Sequence, residues 1–316
     1  MVAGIGRSPH HQQGLALITA VLVVAIVATV AVTLALGEQV WFRQAQNMTS
    51  RAQAESLRRG ALNYAAILLA RDDATIDHLG ELWAKPLPPL PVEDGMIAFK
   101  VQDEQGRFNL NNLAKNGTRS PVDIQIFQRL LSLLDINQSL GEALSDWIDT
   151  NLIVDGTGGA EDIDYLSLPQ PYRTANQSLQ SVDELRLVKG FGAKEVEKLR
   201  PFVTAIIGPT LVNVNTAPEQ VLAALTNLSP SVLHPLIDSR VNEPFKTLDE
   251  FNRKVPPTGT PCPTSLCDIK TSNFMVTIDI RYGRLQRLTE ALIERTGGKA
   301  TVKWHRPPPP QIETKQ

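Results

Sequence analysis

The sequence contains few of the residues from which metal centres and catalytic sites are usually built. It has two cysteines in 316 residues, Cys262 and Cys267, and both lie in the segment PCPTSLC. They have no second cysteine pair and no neighbouring histidine, which argues against a structural zinc site. The five histidines are dispersed, at His10, His11, His78, His234 and His305. Because the sequence shows no nucleophile and base at a suitable spacing, enzymes are the least favoured class.

An excess of positive charge is missing as well. The chain has 31 lysines and arginines against 33 aspartates and glutamates, a formal net charge of -2. Proteins that bind polyanions gain much of their affinity from basic residues, so this balance argues against a nucleic-acid partner. Hydrophobic residues make up 42% of the sequence, which is enough for two modest domains beyond a membrane anchor.

One long segment has no charged side chain at all. It runs from Leu15 to Leu36 and contains three threonines as its only polar residues. At about 1.5 Å per residue, a helix of this length covers roughly the 30 Å of a bilayer's hydrocarbon core. The sequence therefore predicts a membrane-spanning helix over residues 15–36.

The segment before this helix is a short polar leader that ends in Gly14. Such a leader, followed by glycine and an apolar helix, resembles the start of type IV prepilins and pseudopilins. The resemblance implies that a prepilin peptidase cleaves between Gly14 and Leu15. Thr19 stands where these proteins usually carry a glutamate that pairs with the neighbouring subunit's amine. The alternative is a plain single-pass anchor, in which Gly14 has no special role.

Beyond the membrane, apolar residues recur every three or four positions from Leu57 to Leu69, with Arg58 and Arg59 on the other side. The helix should therefore continue as an amphipathic stem. MIAFKVQ and RFNLNNL, joined by a turn at DEQG, are predicted to form a β-hairpin. Further strands are predicted in SNFMVTIDIRYG, RLTEALIER and TVKW, far along the chain. The pattern indicates an α+β fold whose antiparallel sheet is interrupted by an inserted helical domain.

The inserted segment contains an unusual acidic stretch. Seven carboxylates and no lysine or arginine lie between Glu142 and Tyr172. Gly156, Gly158 and Gly159 fall in the same stretch and allow backbone carbonyls to turn inward. Oxygen ligands on a flexible loop favour calcium, although the spacing is not that of an EF-hand. The alternative at this point is a solvated acidic loop that binds no ion.

Two helix-turn-helix units follow the acidic stretch. The first turns at Gly190–Phe191–Gly192, and the second begins near Asn215. They resemble helix-hairpin-helix, or SAM-like, modules, some of which bind DNA phosphates through backbone amides. A membrane-anchored periplasmic DNA-binding receptor is therefore the alternative function. Between Ser181 and Arg253, however, the sequence contains eight basic and nine acidic residues, so it has no excess of positive charge to bind phosphates. Helix packing is therefore the favoured role of the turns.

Five segments, in this order, carry a family resemblance: GLALITAVLVVAIVATVAV, DEQGRFNLNNL, DWIDTN...GGAEDIDYL, PYRTANQSLQSVDELRLVKGF and LVNVNTAPEQVLAAL. Together they resemble the K-type minor pseudopilins of the type II secretion system. That family implies a non-enzymatic protein of the bacterial inner membrane, with its body in the periplasm. It implies I-type and J-type minor pseudopilins as partners, at the tip of a pseudopilus that the protein initiates and caps. Calcium is implied in the inserted domain, and the best-matching residues are Asp149, Asn151, Glu161 and Asp162, with Asp164 in reserve.

A periplasmic location also bears on the cysteines. Outside the cytoplasm Cys262 and Cys267 are expected to form a disulfide, whereas a cytoplasmic location would favour two free thiols. The predicted organisation is a leader at 1–14, a membrane helix at 15–36, a stem helix with the first strands at 37–115, an inserted helical domain at 116–270, the remaining strands at 271–304 and a disordered Pro-rich tail at 305–316.

Overall fold

The computed structural model describes residues 10–308, so most of the predicted leader and the last eight residues of the predicted tail lie outside it. The helices, in chain order, are α1 (His10–Arg71), α2 (Pro121–Leu133), α3 (Leu140–Ile148), α4 (Asp162–Leu166), α5 (Ala193–Leu199), α6 (Glu219–Thr226), α7 (Pro230–Asn242) and α8 (Leu248–Lys254). Two short 3₁₀ helices cover Leu110–Leu113 and Val182–Leu187.

The predicted membrane helix and stem form one continuous helix, α1, of 62 residues. Within residues 10–308 it is the one helix that is long and apolar enough to cross a membrane. The hydroxyls of its threonines are satisfied within the helix, because each donates to a backbone carbonyl one turn back. Thr19 Oγ1 lies 3.1 Å from the Leu15 carbonyl oxygen, and Thr29 Oγ1 lies 2.8 Å from that of Ala25.

The strands, in chain order, are β1 (Leu90–Val92), β2 (Gly95–Asp103), β3 (Phe108–Asn109), β4 (Ala114–Lys115), β5 (Thr118–Arg119), β6 (Val203–Thr204), β7 (Val212–Asn213), β8 (Cys267–Asp268), β9 (Asn273–Tyr282), β10 (Leu285–Thr296) and β11 (Lys299–Arg306). The main sheet is antiparallel, in the order β1-β2-β9-β10-β11. Because β2 pairs directly with β9, the predicted interruption of one sheet by a long inserted segment is confirmed.

The stem half of α1 packs on one face of this sheet. Alternate residues of β9 from Phe274 to Ile280 are fully buried, as the alternating pattern predicts. They face Ala61, Ala65 and Leu69 of α1, also buried. Burial of each large aliphatic side chain contributes about 1.5–3 kcal/mol, so this apolar face stabilises the packing of the stem on the main sheet.

The placement of Arg58 on the exposed side of the stem was wrong. Arg58 is 5% exposed, and its guanidinium Nε donates to Glu55 Oε2 at 2.9 Å. The carboxylate one turn back satisfies the charge, so the aliphatic part of the side chain can lie against the sheet. The interaction holds the pKa of Glu55 near 2, well below its usual range.

The prediction that RFNLNNL forms the second strand of a hairpin was also wrong. The hairpin is β1–β2, and the chain after the DEQG turn enters the inserted domain. The cause lies in three asparagines, whose side chains bond to distant backbone and hold the segment out of the sheet. The amides of Asn109, Asn111 and Asn112 donate to the carbonyls of Ile206, Leu179 and Thr210 respectively.

The inserted domain has a hydrophobic core of its own, which among the described residues extends from Phe108 to Ile269. It therefore begins before residue 116, the predicted boundary. Near the C-terminus, the last strand of the main sheet, β11, continues to Arg306, two residues into the predicted tail. Both differences arise because burial and ladder pairing extend past the residues that composition alone marks as boundaries.

A buried polar junction joins the inserted domain to the end of the sheet near the last turn of α1. Arg295 on β10 donates to Asp77 Oδ2 at 2.6 Å and to Asp72 Oδ2 at 3.0 Å. Asp77 also accepts the Thr271 amide, and its own amide donates to the Ile269 carbonyl. Burial raises the pKa of Asp77 to about 6 despite the arginine beside it. The junction fixes the inserted domain at the end of the sheet where α1 ends.

Candidate cation site

Helix α3 carries the first carboxylates of the acidic stretch on one side. Ala143, Leu144, Trp147 and Ile148 are buried in the core of the inserted domain. Asp146 stands in the last turn and Asp149 directly follows the helix, three residues on, so the two side chains lie on the same side. The helix thus presents two carboxylates at its C-terminal end, where the macrodipole disfavours negative charge.

The glycine-rich loop after α3 brings a third carboxylate to the same place. Oxygen atoms of Asp146, Asp149 and Asp155 lie within 4.8 Å of one another. Glu161 stands close enough for the charges of Asp146 and Asp149 to raise its pKa further than burial alone does. We refer to these four residues as the carboxylate cluster.

Three members of the cluster follow the same pattern of bonding. In each, one carboxylate oxygen accepts hydrogen bonds from protein groups. Asp146 Oδ2 accepts the amides of Asp155 and Ala160 at 3.1 and 3.0 Å, and Glu161 Oε2 accepts a hydrogen bond from Thr174 Oγ1 at 3.3 Å. The other oxygens, Asp146 Oδ1, Asp149 Oδ2 and Glu161 Oε1, are buried without a hydrogen-bond donor in residues 10–308. An unsatisfied buried polar group costs about 1–3 kcal/mol, and more when it is charged.

The electrostatics of the cluster reflect its burial. Burial raises the pKa of Asp146 to about 6 and that of Glu161 to about 7, and it raises the pKa of Asp149 as well. Ionised carboxylates in this setting need a positive charge beside them. A hard divalent cation supplies one and takes the unpaired oxygens as ligands, so the residues present fit calcium.

The glycines have a role in the loop different from the one predicted. The loop turns amides, rather than carbonyls, toward the carboxylates: the Gly158 amide donates to Glu142 Oε2 at 2.7 Å. A Cβ atom at Gly159 would collide with the Asp146 carboxylate and with the Asp155 carbonyl oxygen. Glycine is therefore required here because the backbone passes against the carboxylates.

The predicted ligands divide into two groups in the structure. Asp149 and Glu161 belong to the carboxylate cluster, whereas three residues make other contacts. Asp162 Oδ1 accepts Thr174 Oγ1 at 2.8 Å, and Asp164 Oδ1 lies 2.7 Å from Lys189 Nζ. Asn151 Oδ1 accepts the amide of Ile153. The hydrogen bond from Thr174 lowers the pKa of Asp162, the opposite of the shift within the cluster.

Sequence reasoning did not identify Asp146 and Asp155 as candidate ligands. For Asp146 a signal exists, because its spacing of three from Asp149 places both at the end of one helix. For Asp155 there is no comparable signal, since its position depends on how the loop folds back over α3. A second acidic group, Asp72, Asp77 and Glu81, also lies within 4.8 Å, but Arg295 already compensates its charge.

The structure joins Cys262 and Cys267 in a disulfide, with Cα atoms 6.0 Å apart. Both cysteines are buried beside α8. The Asn252 side-chain amide donates to the Cys262 carbonyl and accepts from the Cys262 amide. The link closes a short loop between α8 and β8, far along the sequence from the carboxylate cluster.

The chain is similar throughout most of its length to proteins of one secretion apparatus. The family model described as type II secretion system, protein K, matches residues 106–209 and 212–264. Type II secretion system protein K of Pseudomonas aeruginosa is 35% identical over 305 residues, which are 92% of this chain and 91% of the relative. The protein of the same description from Aeromonas hydrophila is 30% identical over 312 residues, 91% of this chain and 94% of the relative.

A solved structure shares the fold. A chain in the crystal structure of the GspK-GspI-GspJ complex from the enterotoxigenic Escherichia coli type 2 secretion system has a TM-score of 0.73 and 26% sequence identity. The match covers 84% of this chain and 100% of that chain. Both the sheet-and-stem part and the inserted domain must contribute to a match of this extent.

Proposed function

The chain belongs to the protein K family of the type II secretion system, and we propose that this minor pseudopilin lies at the tip of a periplasmic pseudopilus, where it initiates and caps the fibre. The observation that carries the proposal is the position of the inserted domain. The chain leaves the sheet at Asp103, the end of β2, and returns at Asn273, the start of β9, which pairs beside it. Both points lie at the end of the sheet where Arg295 contacts Asp72, just past α1.

We infer from this geometry that the inserted domain lies far from the membrane. The apolar segment 15–36 opens α1, and a helix of 62 residues is roughly 90 Å long. The sheet packs on the last part of that helix, and the inserted domain is joined beyond it through Asp77 and Arg295. A bulky domain at the distal end would occupy the space that a further subunit would need, so we infer that growth stops above this chain.

The start of the helix supports the same role. Thr19 offers no carboxylate for a neighbouring subunit's amine, and its hydroxyl is already bonded to the carbonyls of Leu15 and Ala16. A subunit without this pairing group would not dock beneath another in the usual way. We propose single-pass insertion in the inner membrane, cleavage between Gly14 and Leu15 by the prepilin peptidase, and N-methylation of Leu15.

We propose the I-type and J-type minor pseudopilins of the same system as partners, because the related complex contains GspI and GspJ. The stem offers a surface for them. Trp41, Phe42 and Met48 lie on α1 outside the predicted membrane segment, and each is at least 60% exposed. Such large apolar side chains in water indicate a surface that packs against other helices.

The partner proposal predicts a stable complex in detergent extracts. Full-length chain should co-purify with the I-type and J-type subunits when the three are expressed together. Met48→Glu should reduce recovery of the partners at least about tenfold, because a charge would be buried in an apolar interface. Gln46→Glu, equally on the exposed stem but at a polar position, should leave recovery unchanged. Failure of the unaltered chain to retain either partner would contradict the proposal.

We further propose that the carboxylate cluster holds calcium, and that the ion stabilises the loop against α3. Asp146, Asp149, Asp155 and Glu161 supply the unpaired and charged oxygens, a donor set of the kind calcium prefers. Bound there, calcium would neutralise the repulsion among the carboxylates. Two of these residues were predicted from the sequence, and Asn151, Asp162 and Asp164 are not included in the proposed set.

We propose that the two helix-turn-helix units are SAM-like modules used for packing, in a non-enzymatic assembly protein. The turn before α5 has Gly190 at φ +87°, which favours glycine. Two of the basic residues near it are engaged in ion pairs: Arg200 lies 2.7 Å from Asp183, and Lys189 lies 2.7 Å from Asp164. Paired in this way they offer little to phosphates, which weighs against the DNA-receptor alternative.

A further inference from the structure

The carboxylate cluster has one basic neighbour with an unusual set of contacts. Arg119 Nη1 lies 3.2 Å from Asp155 Oδ2 and 3.6 Å from Asp146 Oδ1. This nitrogen is buried, yet it makes no hydrogen bond within residues 10–308. The guanidinium thus compensates charge without the bidentate geometry that usually fixes an arginine to a carboxylate.

The fold places Arg119 there through a tight hairpin. Strands β4 and β5 pair Ala114 with Arg119 around Asn116 and Gly117, both with positive φ, the signature of a two-residue Asn-Gly turn. The Gly117 carbonyl accepts the amide of Thr150, the residue after Asp149. The hairpin is therefore fastened to the same loop that carries the cluster.

A second cation on this hairpin provides a contrast. Lys115 Nζ lies 2.7 Å from Asp123 Oδ2, a carboxylate that also accepts the Ser120 hydroxyl. Its partner Asp123 is outside the cluster, and the Oδ2 atom that Lys115 contacts also has a hydrogen bond from a protein hydroxyl. Arg119 instead faces Asp146 Oδ1, an oxygen with no hydrogen bond from the described chain. Of these two basic residues, Arg119 alone contacts carboxylates of the cluster, where it would compete with a bound cation.

We propose that Arg119 is the built-in counter-ion of the cation-free site and sets the calcium affinity by competing with the ion for Asp146 and Asp155. The inference rests on the proposed calcium site and deepens it. When all four carboxylates are ionised, they and the one guanidinium give the cluster a net charge of -3, which attracts a divalent ion. The arginine side chain is 24% exposed and its Nη1 makes no hydrogen bond to residues 10–308, so it can move toward solvent when calcium binds.

The test compares full-length Arg119→Gln and Lys115→Gln with the unaltered chain in detergent, by calorimetric titration with calcium chloride. Arg119→Gln should bind calcium about tenfold more tightly, because a like charge a few Å away no longer opposes the ion. Arg119→Lys, which keeps the charge, should stay within about threefold of the unaltered chain. Lys115→Gln should leave the dissociation constant unchanged. An unchanged or weaker affinity of Arg119→Gln would overturn the proposal.

A second readout separates the counter-ion role from the calcium site itself. In chelator, Arg119→Gln should melt at a lower temperature than the unaltered chain, because four carboxylates are then left without a positive charge. In saturating calcium the two should melt at the same temperature. If the unaltered chain binds no calcium but Arg119→Gln does, competition by Arg119 is upheld. If neither binds, both the site and the competition are rejected.

Discussion

Gly14→Val is expected to leave the chain at its full length in cells that carry the prepilin peptidase, with essentially none of the mature form. If the peptidase cleaves after Gly14, as proposed, a β-branched side chain there should block the close approach of the enzyme to the backbone. The measurement is the mass of the N-terminal peptide of protein recovered from membranes, which should begin at Leu15, N-methylated, in the unaltered chain.

Gly6→Val provides the matched control, because it makes the same substitution eight residues earlier in the leader. It should be processed normally. Normal processing of Gly14→Val would contradict cleavage at this position. An N-terminus at Met1 in the unaltered chain would leave the apolar segment as a plain signal anchor.

Asp146→Asn is expected to abolish the rise in melting temperature that calcium gives the full-length chain. At a calcium concentration of 100 times the dissociation constant, binding stabilises the folded chain by about 2.7 kcal/mol. For a chain of 316 residues, whose entropy of unfolding is about 0.66 kcal/mol/K, that corresponds to a rise of roughly 4 °C. Asp146 is central to the cluster because one oxygen holds the loop amides while the other is unpaired and faces the site.

Asp162→Asn is the matched control for the cation site. Its carboxylate lies in the same acidic stretch and fits the family pattern, but it is bonded to Thr174 and lies 3.5 Å from Arg173. It should keep the calcium-dependent rise, apart from a small general loss of stability. Loss of the rise in Asp162→Asn together with its retention in Asp146→Asn would contradict the cluster that the geometry indicates.

The same melts should depend on pH in a defined direction. A carboxylate whose pKa is raised by folding favours the folded state below its unfolded pKa, and that contribution is lost as the pH rises through the folded value. For Asp146 and Glu161 these folded values are about 6 and 7. The cation-free chain should therefore melt at a lower temperature at pH 8 than at pH 5.

Calcium should change only the part of this pH dependence that arises from the carboxylate cluster. Asp77 and Glu81, with pKa values raised to about 6 and 7, contribute in the same direction but lie outside the cluster. The difference between melts with and without calcium isolates the cluster, because calcium binds the ionised form. That difference should be larger at pH 8 than at pH 5, and an equal difference would contradict the role of Asp146 and Glu161.

Much of the fold could be predicted because its strands carry strong local patterns. The alternation from Phe274 to Ile280 predicted a half-buried strand, and all four alternate residues are buried. Local reasoning failed for RFNLNNL, which was predicted as a strand because it follows the DEQG turn. Asn109 and Asn111 instead bond to backbone about 100 and 70 residues away. Such long-range side-chain hydrogen bonds cannot be predicted from the local sequence pattern.

The acidic stretch that contains the carboxylate cluster could be located from the sequence, but the residues that form the cluster could not be selected. Composition marked the acidic stretch, and Asp149 and Glu161 lie in the cluster. Whether a carboxylate faces an ion or a neighbouring side chain depends on tertiary partners such as Lys189, which holds Asp164 at 2.7 Å from 25 residues away. The composition of the acidic stretch gives no sign of Arg119, because this residue precedes the stretch and reaches the cluster through a turn at Gly117.

The central claim, that this chain caps the fibre, is tested most directly by its position on isolated pseudopili. A gold label bound to a C-terminal epitope on the chain, viewed by electron microscopy, should appear at one end of each fibre, while the same epitope on the major subunit should mark the whole shaft. Regularly spaced labels of this chain along the shaft would contradict the claim, because they would require further subunits to stack above the inserted domain.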